Sequence, residues 1–145
     1  MQIELTKEQY RHMLDMLFLG EWTASSARLQ EKRLSDYDGI LQTFCAKAAE
    51  FGCGDLVTYD AEQGGYYPNG IYEEEMRPIE DRHKEVVFWQ ELVNRMAAKE
   101  SLQEGYGFMS EKAYMHAKSQ AESAYKQEFK TYGLRHVQVV KPATE

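Results

Sequence analysis

The chain has 145 residues, of which 43% are hydrophobic and 28% charged, a balance that excludes disorder for the bulk of the sequence. Its net charge is −7, concentrated in residues 54–85, where 3 basic and 9 acidic groups leave −6. No Lys/Arg cluster offers itself to phosphates, so direct nucleic-acid binding is not expected. Apolar runs stop at four residues, as in Met16-Leu17-Phe18-Leu19, so no membrane span is expected either.

The start, Met1-Gln2-Ile3-Glu4-Leu5, lacks the basic patch and long apolar stretch of a secretory signal, and the expected localisation is cytoplasmic. Ile3 and Leu5 alternate with polar neighbours, which suggests a short strand over 2–5. Thr6 and Gln9 have capping-box spacing. Tyr10, Met13, Leu14, Leu17, Phe18, Trp22 and Leu29 follow at helical intervals, and Gly20 falls off that stripe. An interior glycine costs only about 1 kcal/mol against alanine, so one helix over 7–31 is expected.

Ser35 and Asp38 open a second helix, 36–51, with Tyr37, Ile40, Leu41, Phe44, Cys45, Ala48 and Phe51 on its apolar face and Gly52 as its C-terminal cap. The two cysteines, Cys45 and Cys53, match no CxxC or zinc spacing. Cys45 belongs to the apolar stripe, whereas Cys53 in a Gly-Cys-Gly turn is expected to be exposed. Strands at 56–60 and 65–69 flank a loop and form a hairpin, and Asn69-Gly70 reads as a further turn.

Pro78 suits the first turn of a third helix over 79–102, which carries Val86, Phe88, Trp89, Leu92, Val93 and Met96 inward. Ser110 caps a fourth, 110–132, with Tyr114, Ala117, Ala121, Tyr125 and Phe129 on its buried side and Gly133 at its end. A final strand is expected over 135–140, a candidate partner for 2–5. The expected architecture is α+β, predominantly α, in a single domain over 1–145.

Glu8-Gln9-Tyr10, Met13-Leu14, Phe18-Leu19-Gly20-Glu21-Trp22, Val87-Phe88-Trp89-Gln90-Glu91-Leu92-Val93 and Tyr132-Gly133-Leu134 together resemble a loose group of small uncharacterised bacterial proteins. In that group a helix reading EQY…LL…YLG-W is followed by an FW-EL helix and a chain end of YG-. The resemblance implies the helical layout over most of the chain and brings no activity, cofactor or catalytic residue.

No HExxH, Walker-type, GxGxxG or GxSxG motif occurs, and no cofactor or metal is expected. Glu80-x-x-His83 has the spacing of a carboxylate-bridged di-metal motif, but such sites need that motif on two helices and it occurs once. Tyrosine is the more informative residue. Tyr59, Tyr66, Tyr67 and Tyr72 interleave with Asp60, Glu62, Glu73, Glu74 and Glu75. Tyrosine combines a large contact area with a polar tip and is favoured at interfaces. Those nine residues therefore form the candidate partner-binding site of a non-catalytic module: a regulator, an adaptor, or an inhibitor of mobile-element or phage type. The expected partner is another protein, basic in character, and not a membrane. The alternatives are an enzyme with a site around His83 and Glu80 or around His116 and Tyr114, and a structural homo-oligomer through helix 110–132. A core role for two or three of the tyrosines competes with the docking role.

Overall fold

A computed structural model describes residues 4–26 and 35–140. It is predominantly helical with one small hairpin, the expected α+β class, mostly α. The chain divides into two compact units, Met1–Arg82 and His83–Glu145.

The first unit begins with α1, Lys7–Ser25. Thr6 closes its N-terminus: the Gln9 amide donates to Thr6 Oγ1 (3.2 Å), and the Thr6 amide donates to Gln9 Oε1 (2.9 Å). The helix runs through Gly20, as its unbroken stripe requires. The expected stretch from 27 to 31 lies outside the described residues. Tyr10 and Leu14 are buried one turn apart and set the face that packs on α2, Ser35–Cys45.

α2 stops short of the expected Phe51. Bonding tightens at Lys47, whose amide donates to the Phe44 carbonyl (2.9 Å), and a 3-10 turn follows over Ala48–Phe51. Gly52 closes this turn with a φ of 67°, in the left-handed region. The tighter turn stacks Phe51 on Tyr10, with ring centroids 4.2 Å apart. It also draws Cys53 into the core, where 3% is exposed; the expectation of an exposed Cys53 was wrong. The Cys53 amide donates to Ala48 O (2.8 Å), a bond that a straight continuation of α2 would not make.

A second 3-10 turn, Gly54–Leu56, leads to strands β1, Val57–Asp60, and β2, Gly65–Pro68. They pair antiparallel, with Val57 opposite Pro68 and Tyr59 opposite Tyr66. The helix α3, Gly70–Gln103, then starts nine residues before its expected position, and Pro78 lies inside it. Two features override the proline. Asn69 Oδ1 accepts from the Ile71 and Tyr72 amides (3.1 and 3.2 Å), and Tyr72 and Met76, one turn apart, are both buried. A proline inside a helix costs about 3 kcal/mol; here Pro78 and Glu74, the residue four before it whose carbonyl loses its donor, are both exposed. Tyr10, Leu14, Leu41, Cys45, Ala48, Cys53, Leu56, Tyr72 and Met76 close the core of this unit.

The second unit holds the later turns of α3 and α4, Glu111–Tyr132. Gly105, at φ 85°, and a 3-10 turn over Tyr106–Phe108 reverse the chain. The Ser110 hydroxyl accepts from the Ala113 amide (3.3 Å) and caps α4 as expected. Val93, Ala97 and Ser101 are buried at four-residue intervals on α3, and Ala121 and Phe129 on α4. The expected strand over 135–140 does not form. Turn bonds from the Arg135 and Val137 amides to the Tyr132 and Leu134 carbonyls replace a ladder, and His136 pairs back to Glu128 (2.5 Å). Its intended partner falls partly on residues 1–3, outside the description, and Glu4 and Leu5 are not in a strand. No described helix is long and apolar enough to cross a membrane.

Candidate functional site

The hairpin is built by side chains suited to it. Val57, Thr58 and Tyr59 are β-branched or aromatic, as are Tyr66 and Tyr67. Asp60 sets the loop: its carboxylate accepts from the Glu62 and Gln63 amides (2.8 and 3.1 Å) and from Gln63 Nε2 (3.0 Å). The Gln63 backbone and side-chain bonds, then that of Glu62, hold the Asp60 carboxyl below its ordinary range. Asp60 is thus occupied in shaping the turn.

Alternate residues point to opposite faces of the strands. On one face Tyr59 and Tyr66 stand directly opposite each other, rings edge to face at 5.1 Å, with 55% and 40% of their surfaces exposed. On the other face half-buried Tyr67 meets α2, where its hydroxyl accepts from Gln42 Nε2 (2.7 Å). Gly65 is buried beside this contact; a Cβ there would lie 2.7 Å from Gln42 Oε1 and 3.2 Å from the Tyr67 ring. A side chain here would have to push the end of the Gln42 side chain aside.

Tyr72 does not belong to the surface. It is fully buried, its hydroxyl donates to Asp15 Oδ1 (2.8 Å), and its ring meets Phe18 edge-on at 5.2 Å. The Arg11 guanidinium stands 4.9 Å from the ring centroid. Burial, then the bond to Asp15, pushes the Tyr72 phenol well above its ordinary range. A docking role for Tyr72 is therefore corrected to a core role, because helical phase from Asn69 turns it inward.

The acidic run lies on the first turns of α3. Glu75 pairs with Arg11 (2.6 Å), which also holds Asp15 (2.9 Å), and Glu74 pairs with Arg77 (2.8 Å). Glu62 and Glu73 are exposed and have no ion pair among the described residues. The surface-facing members of the expected site are thus Tyr59, Tyr66, Glu62 and Glu73, with Glu74 paired locally.

Sequence reasoning read Asn69 only as a turn residue and missed Arg11 and Asp15. Asn69 Nδ2 donates to Asp55 O (2.7 Å) and its backbone amide to Leu56 O (3.0 Å), so one residue joins hairpin base to helix start. Its signal was present, an Asn four residues before the acidic run, as was the Arg11/Asp15 spacing of one helical turn.

The residues of the two enzyme alternatives lie on two helices. His83 is exposed and Glu80 half-buried on α3, and His116 is exposed and Tyr114 half-buried on α4. Among the described residues no three His, Cys, Asp or Glu side chains gather as metal ligands. Both thiols are free and buried, and burial raises that of Cys45 to about 11. Comparison of the chain with known protein families, with curated proteins and with solved structures returns no match, and no role is carried to any residue from a relative.

Proposed function

We propose that the chain is a non-catalytic protein-binding module that docks a basic partner through the outer face of its hairpin. The observation that supports this reading is the Tyr59–Tyr66 pair. Two large aromatic rings stay exposed on a hairpin whose other parts are anchored: Tyr67 to Gln42, Asp60 to its loop, Asn69 to Asp55. Such preorganised aromatic surface contributes contact area with little ordering cost. Glu62 and Glu73 supply carboxylates for a cationic rim, which favours encounter with a basic surface and makes binding salt-sensitive. In its narrower form the module is an inhibitor, of mobile-element or phage type, whose carboxylates take the place of nucleic-acid phosphates on its target.

The test compares the tagged chain with two variants, Tyr59→Ala/Tyr66→Ala and Glu62→Gln/Glu73→Gln, as baits in source-cell lysate. Washes at low salt and at about 0.3 M, where screening is short-ranged, separate the two contributions. The proposal expects one discrete partner, lost from the tyrosine variant and salt-weakened. A partner retained by both variants at both salts removes the hairpin from the reading.

A further inference from the structure

The second unit carries a groove that the hairpin reading does not use. It has a volume of about 250 Å³ and lies between one turn of α3, Trp89, Gln90 and Val93, and one turn of α4, Lys126, Phe129 and Lys130. Its floor is carbon. The Trp89 and Phe129 ring centroids are 5.6 Å apart, Val93 closes the base, and the indole N–H is turned away to Glu85 Oε2 (2.9 Å).

The rim carries two cations, Lys126 and Lys130. Lys126 and Lys130 are four residues apart, hence neighbours on one face of α4. Neither makes an ion pair among the described residues. The carboxylates of this unit that stand near in sequence have other partners: Glu85 holds Trp89, Glu91 holds Arg95, Glu122 holds Lys118 and Glu128 holds His136.

Shape limits the occupant. From Trp89 to Val93 is four helical steps, about 6 Å of helix, too short to seat the several turns of a partner helix. The volume falls just below that of usual ligand pockets, which run from about 300 Å³ upward, so only a small molecule fits. We infer that this groove binds a small aromatic carboxylate, its ring against Trp89 and Phe129 and its carboxylate shared by Lys126 and Lys130.

The 145-residue chain carrying Trp22→Phe keeps Trp89 as its one tryptophan, a reporter in the groove floor. Its emission is followed on titration with 3-phenylpropionate and, separately, with the uncharged 3-phenylpropan-1-ol. The inference expects a saturable change with the carboxylate at an affinity about tenfold above that of the alcohol, the size of a charge-assisted hydrogen bond. In Lys126→Gln/Lys130→Gln that advantage disappears while the alcohol titrates as before; both positions are exposed, and unchanged helical circular dichroism confirms the fold. Equal affinities for acid and alcohol, an advantage that survives the lysine changes, or no saturation at all would overturn it. A dimer seen by light scattering that buries Trp89 without ligand would give the groove to a second copy and overturn it equally.

Discussion

In the first unit, nine buried side chains from α1, α2, the 3-10 turns and α3 close on one another from several directions. In the second, Val93, Ala97, Ser101, Ala121 and Phe129 lie along two helices, while Phe88, Leu102, Met115, Tyr132, Val139 and Val140 remain exposed. Two helices can each bury only one stripe against the other, whereas elements meeting from several sides enclose whole side chains. The first unit also fastens its tyrosines within: Tyr10 donates to the Phe44 carbonyl and Tyr72 to Asp15. The second fastens Tyr125 to a half-buried carboxylate, Glu100, at 2.5 Å. The number of directions from which a core is closed, more than helix content, separates the two.

The strongest way to break this comparison is Leu14→Ala. Leu14 is fully buried, and truncation of such a leucine costs about 2–5 kcal/mol. Urea unfolding followed at Trp22 in a Trp89→Phe background reports the first unit, and at Trp89 in a Trp22→Phe background the second. The Trp22 transition is expected to move to much lower urea in Leu14→Ala while the Trp89 transition holds. In the unaltered core the Trp89 midpoint is expected to be the lower of the two. Coincident transitions that move together would show one cooperative fold and end the comparison.

Gly65→Ala acts on a smaller scale. The added methyl pushes the end of the Gln42 side chain aside and loosens its bonds to Tyr67 and Asp38, a cost of about 1 kcal/mol. The loss is expected at Trp22 alone, and Gln42→Ala in the same chain should restore part of it.

The smallest effects are alkaline. Burial raises Tyr10 to about 12, whereas the bond to Glu100 is the first cause that raises Tyr125 to about 12. Both folded values exceed the unfolded value near 10, so these tyrosines lend stability that is complete below pH 10. It is lost as pH climbs from 10 through 12, because the unfolded chain gives up its protons first. The causes predict different salt responses. In NMR titrations of ring-labelled tyrosine, added salt is expected to lower the Tyr125 midpoint and leave that of Tyr10 in place. Equal salt responses would erase the distinction.

How much of this was legible in the sequence follows the range of the forces involved. Local chemistry was readable: Thr6 with Gln9, Ser110 and Gly133 mark helix ends where expected, Gly52 takes the left-handed conformation expected of it although it closes a 3-10 turn rather than α2, and the hairpin lies within a residue of its expected strands. Contests between local and distant terms were not. Pro78 argues for a helix start, and the Asn69 cap together with the burial of Tyr72 and Met76 against α1 and α2 reveals why α3 begins at Gly70. The alternation at 135–140 is a true pattern, but a strand needs a partner, and residue spacing carries no information on whether one arrives. Among the site tyrosines, composition could not separate Tyr72 from Tyr59 and Tyr66. One is placed by helical phase from Asn69 and the others by strand alternation from Asp60.

Asn69 has a further consequence, in chemical time. Asn-Gly is the dipeptide in which the following backbone nitrogen most readily attacks the side-chain amide, expelling ammonia to form a cyclic imide that water opens to aspartate or isoaspartate. In the folded chain that amide is held from both ends, Oδ1 by two helix amides and Nδ2 by Asp55 O, so ring closure is blocked. Each opening of the hairpin base releases it. The product cannot donate to Asp55, and as isoaspartate its lengthened backbone no longer presents an oxygen to cap α3. Damage would then favour the open state that permits more damage. The joint between hairpin and helix thus keeps a record of how often, and for how long, the first unit has been unfolded.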